Sequence, residues 1–258
     1  MVLKNYKLTV AYDGFGYFGW QEQKGLQTIE GVIKDALYSL TERTLLISVA
    51  GRTDKNVHAL GQVFNFKTDW KLPLNKLSYL LNKRLPVSVK VIKAEEVSDS
   101  FHARFSAKAR EYIYLLVSRK SGCPIYYKRY IGLVDNMKNL NIHLMRCAAK
   151  LLLGEKNFKS FCSSGSTERT FVRNVHNLTI SQASFSGLFG EKIDIIKIKI
   201  KANAFLYHMV RNIVSVLSDI GVGKISLEKL GVILDKKDRS LYGPPAPAEG
   251  LYLTKVYY

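Results

Sequence analysis

The sequence predicts an α+β fold, in which helices pack on an antiparallel or mixed sheet. Two observations predict this class. Segments of strand and helix character follow in the order strand, helix, strand, loop, strand, roughly twice along the 258 residues. Several strands follow one another without an intervening helix, whereas a parallel α/β sheet needs a crossover between each pair. Because no low-complexity linker divides the chain, we expect two halves, 1–104 and 105–258, that share an interface.

The first half begins with a predicted strand and a predicted helix. Apolar and polar residues alternate from Tyr6 to Tyr12 with a period of two, which is typical of a strand with one buried face. Thr28 suits the N-cap of a helix, and the apolar residues from Ile29 to Leu40 fall on one face of that helix. The later segments predict strands at 45–49, 62–66 and 87–91 and a short helix at 73–82.

The second half restarts with a predicted strand from Tyr112 to Val117. A helix is predicted around Ile142–Leu153, and Gly154 is expected to end it. A long helix is predicted from Phe205 to Ile220, ending at Gly221. The remaining predicted elements are strands at 178–181, 193–200 and 254–258 and a shorter helix at 226–234.

The charge balance predicts a polyanionic partner. Lysine and arginine number 39 against 21 aspartates and glutamates, which gives a net charge of +18. Nucleic acid is the leading candidate for such a partner, and an anionic membrane surface is the second. Because no apolar run approaches 18 residues and the start lacks a signal-peptide core, we expect a cytoplasmic protein without a membrane span. The spacing of the cysteines predicts neither a disulfide framework nor a zinc knuckle: they are Cys123, Cys147 and Cys162.

A glycine-rich turn follows the first predicted strand. Gly14, Gly16 and Gly19 match the G-x-G-x-x-G pattern of dinucleotide-binding proteins. That function also needs a helix that begins inside the pattern and an acidic residue at the end of the next strand. Here the predicted helix begins only after Thr28, and aromatic residues stand between the glycines. The turn is therefore interpreted as a surface for bases or as a loop that packs on the sheet.

A cluster of polar residues at 50–59 is the first candidate site. It brings Arg52, Asp54 and His58 together just after an apolar strand. A carboxylate beside cations stays ionised, which a nucleophile or a base requires. The alternative is a polar turn in which Asp54 accepts hydrogen bonds from local amides. Asp54 and His58 could also be metal ligands, but with no third ligand nearby the sequence does not predict a metal site.

A second candidate region at 101–116 alternates cations with aromatic residues. The cations are Arg104, Lys108 and Arg110, and the aromatic residues among them include Phe105, Tyr112 and Tyr114. Cations and aromatic rings along one strand are typical of a nucleic-acid groove, where bases stack on the rings. A solvated strand edge with buried tyrosines is the alternative.

A third candidate region at 201–214 is predicted to open the long helix. His208 and Arg211 are spaced i, i+3 and are expected on one face. An arginine near the core needs an anionic partner because its charge cannot be removed. A surface ion pair is the alternative interpretation.

Five stretches of this sequence together resemble the tRNA pseudouridine synthase A family. The resemblance covers almost the whole chain, in the order typical of the family. Its blocks are AYDGFGYFGWQEQ (11–23), AGRTDKNVHALGQV (50–63), FHARFSAKAREYIY (101–114), KANAFLYHMVRNIV (201–214) and APAEGLYL (246–253).

The resemblance implies roles for three residues. The catalytic aspartate of the G-R-T-D block corresponds to Asp54, and the tyrosine that contacts the target uridine corresponds to Tyr112. The arginine of the H-M-V-R-N block, which looks like the partner of the carboxylate, corresponds to Arg211. One residue departs from the family pattern, because Asn56 stands where a glycine is usual. Since asparagine tolerates positive φ better than other side chains, we expect the loop geometry to be kept.

Further site residues are expected around these three. Arg52 is expected to support the catalytic carboxylate, and His58, Arg104 and Arg110 are expected to bind the substrate. The resemblance also implies two similar α/β halves that share a mostly antiparallel sheet, with a basic cleft between them.

The implied reaction is the isomerisation of uridine to pseudouridine in the anticodon stem-loop of tRNA, at tRNA positions 38 to 40, by a homodimer. No metal or organic cofactor is implied. A non-catalytic RNA-binding module and an Asp/His-dependent phosphodiester hydrolase are the alternative functions.

Overall fold

The computed structural model describes residues 3–70, 73–118, 125–134 and 140–258. These residues form ten strands and five α-helices, and most of the strand pairs are antiparallel. The predicted α+β class is therefore confirmed. The chain divides into two compact units, the first formed by Met1–Lys108 with Tyr252–Tyr258 and the second by Ala109–Leu251.

The first unit is a sheet with two helices. Strand β1 lies between β3 and β4 and is antiparallel to both, while β2 pairs antiparallel with β3. The last strand, β10, pairs with β3 in parallel, with Tyr252 opposite His58. The elements are β1 (Lys4–Tyr12), α1 (Ile29–Thr41), β2 (Ser48–Val49), β3 (His58–Thr68), α2 (Leu74–Asn82), β4 (Val89–Val97) and β10 (Leu251–Tyr257).

Local signals explain the first helix and the core beside it. The Thr28 side chain accepts a hydrogen bond from the Gly31 amide, which confirms the predicted N-cap. Ile29, Ile33 and Leu37 are buried on the inner face of α1 at helical spacing. The fully buried ring of Trp20 packs near Phe64 of β3 and Tyr12 of β1.

The second unit is a sheet of five strands with three helices. Its strands follow the antiparallel order β5-β9-β8-β7, and β6 pairs in parallel with β5. On β9 the isoleucines at 196, 198 and 200 are buried, while the lysines between them remain half-exposed. The elements are β5 (Ala109–Ser118), β6 (Gly132–Val134), α3 (Ile142–Leu151), β7 (Gly154–Asn157), β8 (Val172–Ser186), β9 (Lys192–Ala202), α4 (Met209–Gly221) and α5 (Leu227–Lys236).

The structure corrects several predicted boundaries. The long helix begins at Met209 instead of Phe205, because the backbone of His208 has a φ of 60°, which is incompatible with a right-handed helix. The α3 helix ends at Leu151, and Gly154, with a φ of 84°, opens the short strand β7. Strands β6 and β7 were not predicted. Strand β4 begins only at Val89, and β2 is limited to Ser48–Val49.

Cys147 and Cys162 are free thiols, whereas Cys123 lies outside the described residues. Within the described part of the chain, no helix has both the length and the apolar character needed to cross a membrane.

Candidate active site

Asp54 lies in the loop that joins β2 to β3 in the first unit. Its side chain is partly exposed, while the preceding Thr53 is buried. The Val57 amide donates to the Asp54 carbonyl at 3.1 Å and closes a turn. Asn56 has a φ of 62°, so the predicted left-handed backbone at this position is confirmed. The candidate carboxylate is thus presented on a tight turn at the surface of the first unit.

Beneath this loop lies a buried polar network that the sequence analysis missed. The Tyr12 hydroxyl is 2.8 Å from the Thr53 hydroxyl, so β1 is bonded directly to the residue before Asp54. The Gln62 amide nitrogen donates to the Gly51 carbonyl at 2.7 Å and reaches the Tyr12 hydroxyl at 3.4 Å. Burial raises the pKa of Tyr12 to about 12, against the opposing effect of these hydrogen bonds, so the phenol stays neutral. Hydrogen bonds therefore hold both neighbours of Arg52, through the Gly51 carbonyl and the Thr53 side chain.

The glycine-rich turn packs directly against the Asp54 loop. Backbone bonds join them, because the Trp20 amide donates to the Thr53 carbonyl at 3.0 Å and the Asn56 amide donates to the Tyr17 carbonyl at 3.3 Å. A Cβ at Gly19 would stand 2.6 Å from the Thr53 carbonyl oxygen, and one at Gly14 would stand 2.0 Å from the Val57 carbonyl oxygen. These glycines therefore permit the close approach of two loops.

His58 lies below the loop and is almost fully buried. Its Nδ1 atom is 3.1 Å from the Gly14 amide nitrogen and 3.1 Å from an Asp13 carboxylate oxygen, and its ring stacks on Tyr252. Nδ1 accepts from the amide only when it carries no proton, and donates to the carboxylate only when it does. In either state, the side chain is only 2% exposed, so it supports the loop. The predicted role of His58 in binding the substrate is corrected accordingly.

The second unit carries Tyr112 and Arg211 on regular elements. Tyr112 lies on β5 opposite Ile200 of β9, and its ring meets Phe205 edge-on at a centroid distance of 5.1 Å. Arg211 lies in the first turn of α4, where its Nε donates to the Ala246 carbonyl at 2.7 Å. The Ala246 amide in turn donates to the Arg211 carbonyl at 3.1 Å. The 246–253 block thus contributes the backbone that orients this arginine.

The electrostatic effect of Arg211 reaches a second tyrosine of β5. Burial raises the pKa of Tyr114, and the positive charge of Arg211 opposes that rise. The Tyr114 hydroxyl donates to the Pro247 carbonyl at 2.7 Å. The prediction that His208 and Arg211 share one helix face was wrong. His208 precedes the helix, and its Nδ1 atom lies 3.0 Å from the Ser163 hydroxyl.

The predicted cationic strand is only partly a strand. Arg104 and Lys108 precede β5 and belong to the first unit, where the Arg104 guanidinium lies 5.7 Å from the Phe105 ring centre. Arg110 lies on β5, and its guanidinium donates to the Asn203 carbonyl at 2.9 Å. A continuous groove of alternating cations and rings along one strand is therefore not what the structure shows.

The candidate residues thus fall into two groups. The first group belongs to the first unit. Arg52, which is exposed, and Asp54 lie in the loop before β3, and His58 is the first residue of β3. Tyr112 and Arg211 belong to the second unit. Across the described residues, no group of three histidine, cysteine or acidic side chains is placed to hold a metal ion.

Comparisons with known proteins cover nearly the whole chain. A family model described as tRNA pseudouridine synthase matches residues 8–106 and 148–258. The tRNA pseudouridine synthase A of Thermoanaerobacter sp. (strain X514) is 42% identical over 256 residues, which cover 99% of this chain and 100% of that protein. The proteins of the same name from Acetivibrio thermocellus and Nitrosomonas europaea are 37% and 41% identical, over 99% and 97% of this chain and 100% and 88% of their own lengths.

Proposed function

This chain belongs to the tRNA pseudouridine synthase A family, and on that premise we propose how it isomerises uridine to pseudouridine in tRNA. Asp54 is the catalytic nucleophile. The observation that supports this role is its place on a turn that is anchored from below by Tyr12 and Gln62 and from the side by the glycine-rich turn. Because the backbone of this turn is held in place, the partly exposed carboxylate is already oriented before the substrate binds.

The reaction exchanges one bond of the nucleotide for another. A uridine in a stem must first be extruded from the base stack to reach the carboxylate. Asp54 then attacks the sugar at C1′ as the bond to N1 breaks. The freed uracil turns, its C5 atom bonds to C1′ and displaces the carboxylate, and C5 loses its proton while N1 gains one. The net change is an isomerisation that leaves Asp54 unaltered.

The other site residues support this step. Arg211 pairs with the Asp54 carboxylate and orients it, and Arg52 adds positive charge beside it. Tyr112 stacks on the extruded uracil. Arg104 and Arg110 bind phosphates of the RNA, and His58 supports the loop from below. The arrangement requires no cofactor, since the carboxylate and the substrate supply every atom of the reaction.

The substrate region and the assembly complete the proposal. The anticodon stem-loop is the proposed target, the working enzyme is a homodimer in the cytoplasm, and its basic surface binds the RNA. The surplus of cations favours such binding, because each phosphate contact displaces a counterion.

Release of tritium from C5-labelled uridine in tRNA transcripts tests this function. Asp54→Asn is expected to bind tRNA within about tenfold of the wild type and to lose turnover, because a neutral amide cannot act as the nucleophile. Asp35→Asn, an exposed carboxylate on α1, is the matched control and should release tritium normally. Turnover of Asp54→Asn near the wild-type rate would remove this residue from the catalytic role.

A further inference from the structure

A turn at 102–106 in the first unit presents a largely exposed aromatic ring. The Phe105 side chain contacts two neighbours: its ring centre lies 4.4 Å from that of His102 and 5.7 Å from the Arg104 guanidinium. With both contacts made, Phe105 is still 77% exposed. Single apolar side chains are common on protein surfaces, so exposure alone identifies no site. The construction of the turn supplies the further evidence.

Reciprocal hydrogen bonds close this turn. The His102 amide donates to the Ser106 hydroxyl at 3.0 Å, and the Ser106 amide donates to the His102 carbonyl at 2.9 Å. Inside the turn, His102 Nδ1 accepts from the Arg104 amide at 3.1 Å and lies 3.4 Å from the Phe105 amide nitrogen. The imidazole thus binds the backbone of the turn and contacts the Phe105 ring at the same time. It therefore restrains that ring relative to the turn.

A buried polar network holds the turn on the sheet. The Ala103 amide donates to Asn65 Oδ1 at 2.8 Å, and the Ala103 carbonyl accepts from the Tyr258 hydroxyl at 3.0 Å. Asn65 Nδ2 donates to Asn5 Oδ1 at 2.9 Å, and Asn5 Nδ2 donates to the Phe101 carbonyl at 2.9 Å. Both asparagines are buried, so their amides require these partners. The turn therefore keeps a fixed position on the first unit.

We propose that the turn at 102–106 is a platform for one unpaired nucleotide of the tRNA, other than the target uridine. The base stacks on the exposed part of the Phe105 ring, which His102 supports, and Arg104 binds the phosphate of the same nucleotide. This inference rests on the proposed function, which supplies an RNA with unpaired bases in its anticodon loop. A ring that is restrained before binding loses little conformational freedom when a base stacks on it.

The chemistry of the platform favours a nucleotide over a protein partner. A stable protein interface buries about 800 Å² on each side, which one ring and one cation do not provide. A nucleotide needs an aromatic contact for its base and a positive charge for its phosphate, and the ring centre and the guanidinium lie 5.7 Å apart here. The net charge of +18 favours the same partner.

Single abasic sites in the RNA test whether a base stacks on this ring. Each tRNA transcript lacks the base of one unpaired nucleotide, and its Kd is measured with the full chain. With the wild type, one such site is expected to raise Kd about tenfold, because a stacking contact is lost. With Phe105→Leu, the intact transcript should bind about tenfold more weakly, and the same abasic site should cause no further loss. The two losses do not add, because the ring and the base form one contact.

Three further variants separate stacking from other effects. Phe105→Tyr keeps a ring and should retain both the wild-type Kd and the loss caused by the abasic site. Phe189→Leu changes a ring of the second unit that is equally exposed, at 78%, and should alter neither. Arg104→Gln should reduce the slope of log affinity against log salt by about 0.7, which is the value for one phosphate of a single strand, and should retain the loss caused by the abasic site.

The outcomes also distinguish the platform from the catalytic proposal. A wild-type Kd in Phe105→Leu would overturn the platform, as would losses from abasic sites that this variant retains at every position or removes only at the target uridine. In these cases an inactive Asp54→Asn would leave the catalytic proposal standing. If Asp54→Asn remained active while Phe105→Leu removed the loss at another nucleotide, the catalytic proposal would fail and the platform would be supported.

Discussion

The two units hold their candidate residues by different means. In the first unit, Asp54 lies on a loop whose position depends on hydrogen bonds with Tyr12, Gln62 and the glycine-rich turn. In the second, Tyr112 and Arg211 belong to a strand and a helix, and the repeating geometry of those elements places them. The difference shows that the position of Asp54 depends on neighbouring residues that do not themselves contact the substrate. Substitutions of those neighbours should lower turnover in the first unit, whereas comparable changes in the second should affect stability alone.

The largest effect is expected when the proposed partner of Asp54 is removed. Arg211→Met should lower kcat by about a hundredfold, because the charge-assisted hydrogen bond that we propose between this arginine and the carboxylate would be lost. Arg211→Lys keeps the positive charge but lacks the planar guanidinium. Its kcat should lie between those of the wild type and Arg211→Met. Wild-type turnover in Arg211→Met would show that the pair does not exist and would favour Arg52 as the partner.

Gly19→Ala should produce the next largest effect because it separates the two loops of the first unit. Its φ is 88°, and a Cβ would press on the Thr53 carbonyl oxygen at 2.6 Å. We expect about a tenfold fall in kcat and a loss of about 1–3 kcal/mol in the free energy of unfolding. Gly16→Ala is the matched control, because Gly16 has a φ of 84° but no atom within 4 Å of the added Cβ. Equal losses of kcat in both variants would mean that backbone strain alone, and not the contact with the Asp54 loop, explains the result.

Tyr12→Phe should have a smaller effect and compares the units directly. It deletes the hydroxyl that is bonded to Thr53, so we expect a several-fold fall in kcat and a loss of about 1 kcal/mol in stability. Tyr242→Phe deletes a hydroxyl that donates to the Ser160 carbonyl at 2.6 Å in the second unit. That variant should lose similar stability and keep its kcat. If both variants kept the wild-type kcat, the buried network would support folding and not the position of Asp54.

The ionisation of Tyr12 gives the same variant a second signature. Its folded pKa of about 12 exceeds the ordinary value of 10.0, so the folded protein retains a proton that the unfolded chain loses. The contribution of neutral Tyr12 to the free energy of unfolding is therefore fully present below about pH 10 and is lost as the pH rises towards 12. Chemical denaturation across that range should show a shallower decline for Tyr12→Phe than for the wild type.

Tyr112→Phe is expected to have the smallest effect. It keeps the ring that we assign to stacking on uracil, so tRNA binding and turnover should stay within about twofold of the wild type. Tyr112→Ala removes the ring and should weaken binding. A fall in kcat of several orders of magnitude in Tyr112→Phe would instead assign the hydroxyl to proton transfer.

The sequence predicted those elements whose pattern is local. The alternation from Tyr6 to Tyr12 identified β1, and Thr28 identified the start of α1. Strand β7, with the sequence Gly-Glu-Lys-Asn, has no apolar alternation, because its place depends on pairing with β8. The start of α4 was misplaced because apolar residues continue the helical pattern across His208, whose left-handed backbone no periodicity reveals.

The candidate site was predictable to a similar extent. The cluster around Asp54 is contiguous in sequence, so its charges identify it directly. The anchoring network is not contiguous, because Tyr12 and Gln62 approach the loop only when β1 pairs with β3. One signal of this network was present in the sequence. Gln62 is a polar residue at the start of a predicted strand, and the next two residues, Val63 and Phe64, are both apolar. A polar side chain in such a strand needs a buried partner, and here that partner is the backbone before Asp54.

The parallel pairing of β10 with β3 has a consequence for synthesis on the ribosome. Tyr252 stands opposite His58, so the two residues are separated by 194 positions along the chain. At about 5–20 residues per second, translation needs about 10–40 s to supply the second after the first. During that interval, this edge of β3, directly below the Asp54 loop, offers unpaired backbone groups to other nascent chains. Chaperone dependence of this protein should therefore arise from its first unit, although residues 1–108 of that unit leave the ribosome first.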